Sequence, residues 1–145
     1  RASNAARRAR GHVGRALNLL NDPSILKDED EAMQRMKDIV RSDSWQRLEI
    51  AKQMTSLFNS TQGRAKIGKH LLLWVDWYRD QLVMMEGLEQ LAAYHHAKGN
   101  GMGLTRKQVL CAMSALVAAI ANLEANANTN LTFDCLLLAM PTIRV

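Results

Sequence analysis

The chain has 145 residues, 48% of them hydrophobic and 5% aromatic, with two prolines, two cysteines and a formal net charge of +5. That is long enough for one domain with a buried core, and plentiful Ala, Leu and Met beside scarce Pro favour helix. No uninterrupted apolar run approaches the roughly 20 residues of a membrane span, and no secretory leader is recognisable, so a cytoplasmic chain without a membrane partner is expected.

The excess charge is local. Arg1, Arg7, Arg8, Arg10 and Arg15 fall within residues 1–15, which hold no acid. Removing these five from 19 basic residues leaves 14, equal to the 14 acidic ones, so the body is neutral. Arg7, Arg8, Arg10 and Arg15 are candidates for phosphate or DNA contact. A solvated helix face is the equal alternative, because no aromatic side chain interleaves them to stack a base.

In chain order, "AARRARGHVGRALNLL" (5–20) reads as helical pieces around a turn bounded by Gly11 and Gly14. "NDPS" (21–24) is a boundary, since Pro23 disfavours helix in Asp22 before it. A helix follows, with the acids Asp28 to Glu31 at its positive N-terminal end and Met33, Met36, Ile39 and Val40 at helical spacing. Ser42–Ser44 caps a second helix whose apolar face comprises Trp45, Leu48, Ala51, Met54, Leu57 and Phe58.

From Ala65 to Glu86 the pattern predicts a helix with apolar residues on two sides. One stripe is Ile67, Leu71, Trp74, Tyr78, Leu82 and Met85; the other includes Leu72, Leu73, Val75, Trp77, Val83 and Met84. Such a helix must be covered on both sides, centrally in its own bundle or partly by another chain. A shorter helical stretch (88–98) and the loop "GNGMG" (99–103) come next. Thr105 and Gln108 form a capping box that opens a helix running to about Ala125. Asn126, Asn128, Thr129 and Asn130 then break the chain and cap a last apolar helix, Leu131 to Met140, ended by Pro141. No strand alternation appears, and the expected fold class is all-α, a bundle of about five to six helices.

Chemistry is sparse. "GNGMG" follows no strand and is no phosphate-binding loop. His95 and His96 are adjacent, and His12 and His70 lack partners at ligand spacing, so no metal ligands, cofactor or catalytic residues are assigned. Cys111 and Cys135 sit in apolar helical patterns and are expected to be buried, reduced thiols. In "WVDWYRD", Arg79 lies three residues after Asp76, where an ion pair can form within a solvated stripe or at a packing seam. The flanking Trp74, Trp77 and Tyr78, with Arg79 and Asp80, favour a seam against another subunit, because Trp, Tyr and Arg are enriched at interfaces.

Three stretches in this order resemble the bacterial DNA polymerase III clamp-loader subunits. "ARRARGHVGRALNLLNDP" resembles the end of the lid domain that closes their AAA+ module. "LLLWVDWYRDQLV" is similar to the Trp-x-x-aromatic-Arg-Asp helix of their C-terminal collar domain. "LEANANTNLTFDCLLLAMP" looks like the collar's closing Asn-x-Asn-x-x-Leu pattern, with Asn126, Asn128 and Leu131 in those places. The resemblance implies that residues 1–22 end a lid domain and that 23–145 form a collar. Such a collar oligomerises with the gamma/tau and delta subunits so that the sliding clamp can be loaded on primer-template DNA. ATP hydrolysis lies in other domains or subunits, so this stretch is expected to be non-enzymatic and cofactor-free. Gly14 stands where ATP-binding subunits carry a lid-helix arginine, with Arg15 following. That implies the delta-prime type, with the gamma/tau type or a basic nucleic-acid-binding helical module as alternatives. The implied interface residues are Trp74, Trp77, Tyr78, Arg79, Asp80, Asn126, Asn128 and Leu131.

Overall fold

The computed structural model describes residues 22–88 and 103–143. Among these the chain is all-α, with five helices and no strand: α1 (Pro23–Arg41), α2 (Ser44–Phe58), α3 (Gly63–Met85), α4 (Arg106–Glu124) and α5 (Thr129–Ala139). The predicted segments 5–20 and 89–102 lie outside the described residues.

The helix boundaries follow local chemistry. Extended Asp22 caps α1, its carboxylate accepting from the Ser24 amide, and Pro23 supplies a preset φ at the first turn. α1 therefore begins five residues before the acidic run that was expected to mark its start. Asp43 with Gln46, and Thr105 with Gln108, form reciprocal capping boxes on α2 and α4. α3 is closed just past its last turn by Gly87 (φ 78°), whose conformation lets Gly87 and Leu88 donate back to Met84 and Val83. Asn126 (φ 57°) does the same for α4: its amide reaches the Leu123 carbonyl, and that of Ala127 reaches Asn122. The tight α2–α3 corner needs glycine for a different reason. A Cβ on Gly63 would collide with the Leu57 carbonyl and with Ser60 Oγ.

α3 is central, packing against α1, α2 and α4, while α5 lies across α2 and α4. Ile67, Leu71, Trp74 and Tyr78 from one stripe are fully buried, as is Trp77 from the other, with Leu73 nearly so. The chain itself thus covers the first stripe as far as Tyr78 and part of the second, while Leu72 (57%) and Met85 (43%) stay exposed and Val75, Val83 and Met84 are half-buried. Trp74 Nε1 donates to the Ala32 carbonyl on α1 at 2.8 Å, giving its indole N–H a partner inside the core. Phe58 and Phe133 meet edge to face at 5.8 Å and join α2 to α5.

The buried face of α2 differs from the expected one. Arg47, Ala51, Met54 and Phe58 point inward, Leu48 and Leu57 are half-buried, and Trp45 is 72% exposed. An arginine occupies a core position because every donor direction finds an acceptor. Arg47 donates to the carbonyls of Ser42 (3.2 Å), Leu137 (2.8 Å), Met140 (2.6 Å) and Pro141 (3.0 Å), and to Thr142 Oγ1 (3.1 Å). These include carbonyls that α5 leaves unpaired at its C-terminal end, where a positive charge also suits the helix dipole. Burial draws the guanidinium pKa down, partly offset by nearby Tyr78. The tail is fastened once more where the Ile143 amide donates to Val40 at the end of α1.

Candidate functional site

The structure divides the eight predicted interface residues. Trp74, Trp77, Tyr78 and Asp80 are at most 1% exposed. They pack within the bundle, and a partner cannot reach them; aromatic residues beside an arginine marked a core helix, not a surface seam. Arg79 on the same helix faces solvent, and Asp76 is half-exposed. Asn126 and Asn128 are exposed but occupied structurally, the first as the left-handed cap of α4, the second as the N-cap of α5, accepting from the Leu131 amide at 2.9 Å. Arg64 reinforces that corner, donating to the Leu123 carbonyl (3.1 Å) and Asn126 Oδ1 (3.4 Å) while lying over the Phe58 ring. Of the eight, Leu131 is the apolar side chain left in solvent, 60% exposed. Arg7, Arg8, Arg10 and Arg15 lie outside the described residues.

Three buried polar atoms have no hydrogen-bond partner among the described residues: His70 Nε2, Tyr78 Oη and Gln81 Nε2. His70 is the best defined. Its Nδ1 sits 3.1 Å from an Arg35 guanidinium nitrogen, which can only donate, so Nδ1 accepts and the ring proton resides on Nε2. Burial, then the positive charge of Arg35, pushes the imidazole pKa down to about 4, and Glu31 only partly opposes this. Burial likewise pushes the Tyr78 phenol up. Neither group adjoins a nucleophile or a metal-binding constellation: among the described residues, no three His, Cys, Asp or Glu side chains converge on a common point.

The notable surface lies on α4 and α5. Leu110 and Val117 on α4 and Leu131 and Leu138 on α5 are all roughly half exposed or more. Between the two helices runs an open groove of about 430 Å³, floored by Ala115, Ala118, Ala119 and Ala139 and edged by Leu131 and Cys135. Cys111 and Cys135 are free and exposed, contrary to the burial expected of them. Each stands on an apolar helix, but on the side that the bundle leaves uncovered. α4 is also long and apolar enough, by length and composition, to cross a membrane, yet only 28% of that stretch is buried. Run length hid this, because Ser114 and Asn122 interrupt its apolar residues. As an interface residue, sequence reasoning named Leu131 alone among these positions. The remaining signal was the α4 repeat itself, in which apolar residues outnumber those one buried stripe can use.

Compared with known proteins, the chain matches no family model, and no curated protein or solved structure shows significant similarity to it.

Proposed function

We propose that this chain is an assembly module, a helical collar that docks other protein subunits through its α4–α5 side. We further propose that it belongs to a bacterial DNA polymerase III clamp loader, as a subunit of the delta-prime type. The observation that carries the docking role is the uncovered apolar surface of Leu110, Val117, Leu131 and Leu138 on two adjoining helices. Side chains of that kind, each 47% to 60% exposed, leave a transfer free energy of about 25 cal/mol per Å² unrealised until a partner covers them. The clamp-loader assignment is supported by the order of the three sequence stretches and by the all-α bundle, and by no other likeness.

Size-exclusion chromatography of the chain mixed with clamp-loader gamma/tau and delta subunits tests both parts. Co-elution is expected for the unmodified chain. Replacing Leu131 and Leu138 by Glu is expected to weaken it about tenfold or more, since charges would be driven into the contact. Arg79→Ala, at the rim, is expected to act less. If the unmodified chain elutes alone at tens of micromolar, the clamp-loader assignment is wrong.

A further inference from the structure

The solvent side of α4 has an order that general apolarity does not explain. Lys107, Leu110, Ser114, Val117, Ala121 and Glu124 are all exposed, and their spacings are 3, 4, 3, 4 and 3 residues. That is the 3-4 spacing of a coiled-coil seam, on the side away from the buried face of Val109, Ala112, Leu116, Ala119 and Leu123. Between Lys107 and Glu124 the helix carries no charge at all, so more than four turns meet water without an ionic group. The two charges that close the seam have opposite sign, and neither makes an ion pair among the described residues.

We propose that this seam binds a second copy of the same chain, α4 against α4 and antiparallel. The argument is complementarity under a two-fold axis. Setting Lys107 of one copy opposite Glu124 of the other places the axis midway along the helix, between positions 115 and 116. The same register sets Leu110 opposite Ala121 and Val117 opposite Ser114. Each large side chain then meets a small one, in both halves of the contact, which lets the two backbones approach closely. A parallel pairing instead sets lysine on lysine, glutamate on glutamate and valine on valine. One register thus satisfies charge and shape together, and the contact is isologous, as in most homodimers. The helix is about 28 Å long, so α4 alone buries less than a standard interface. A weak, concentration-dependent pairing follows. The inference rests on reading this side as a protein-docking surface, and it does not require a clamp-loader partner.

Sedimentation equilibrium of the full 145-residue chain, up to several hundred micromolar, is the test. A dimer is expected. Lys107→Glu or Glu124→Lys alone turns both end contacts repulsive and is expected to weaken it about tenfold; the double exchange restores it to within about twofold. Val117→Glu, beside the axis, is expected to leave only monomer, whereas Leu72→Glu on exposed α3 surface changes nothing. Circular dichroism of each variant checks that the bundle is intact. A chain that stays monomeric throughout overturns the inference, as does a double exchange no better than the single ones. So does flotation of the chain with phosphatidylethanolamine–phosphatidylglycerol vesicles that Val117→Glu abolishes, because lipid would then cover the seam. A monomer that still co-elutes with loader subunits refutes this pairing but not the functional reading. A dimer that ignores them does the reverse.

Discussion

α3 and α4 are both long and both apolar, but their surroundings are opposite. α3 runs through the middle of the bundle, with Trp74, Trp77 and Tyr78 sealed on all sides, whereas α4 packs along one stripe and offers the rest to solvent. The contrast follows side-chain size. Large aromatic groups gain most from burial, and a central helix can seal several of them in succession. α4 is built from Ala, Ser, Val and Leu, whose exposure is less costly per residue, so it can wait for a partner. Apolarity along a helix therefore tells how much cover it needs, not which molecule provides it.

The comparison can be broken first at its strong end. Trp74→Ala removes one of the two largest fully buried side chains and its hydrogen bond to Ala32; a loss of about 3–5 kcal/mol is expected in urea unfolding. Val117→Ala on α4 should leave monomer stability within about 0.5 kcal/mol. Similar losses for the two would show that α4 is as well covered as α3.

Arg47→Met comes next. It retains a similar stem but strands the carbonyls at the end of α5, for an expected loss of about 3 kcal/mol. Faster hydrogen exchange in α5 than in α3 would locate that loss at the tail.

The third prediction concerns acid. In the fold His70 is held neutral down to about pH 4, while in the unfolded chain it takes up a proton near pH 6.5. Between those values the unfolded state binds more protons, so stability rises with pH. It is fully present above about 6.5 and declines on acidification, by at most about 1.4 kcal/mol per pH unit and on the order of 3 kcal/mol in all. The groups facing the ring through α1 and α3 are Arg35, Lys66, Glu31 and Asp28. His70→Gln should flatten this dependence; an unchanged acid profile would mean that another group sets it. Smallest of all, Val117→Ala tests the outer face of α4, as already stated.

Much of the architecture was legible in the chain. The Thr105–Gln108 box, the cap at Ser42–Ser44, the asparagine break and the helical course of the Trp74 segment are local or strongly periodic signals, and the structure contains them. Two errors were physical in origin. Hydropathy placed Trp45 inside and ignored Arg47, yet Arg47 is buried because backbone carbonyls ninety residues away complete its hydrogen bonds. Aromatic residues around Arg79 were read as an interface because the same residue types fill both interfaces and cores. The candidate surface was less legible still, since exposure of Leu110, Val117 and Leu138 depends on which side of α4 and α5 the bundle occupies.

Where helices start and stop, and which are amphipathic, was determined by short-range chemistry: caps reach three or four residues, and a helical face repeats every 3.6. Which face of each helix is covered was decided only by tertiary structure. Covering is a relation between segments distant in the chain, and the satisfaction of a buried guanidinium or the nakedness of an apolar seam exists only once those segments have met.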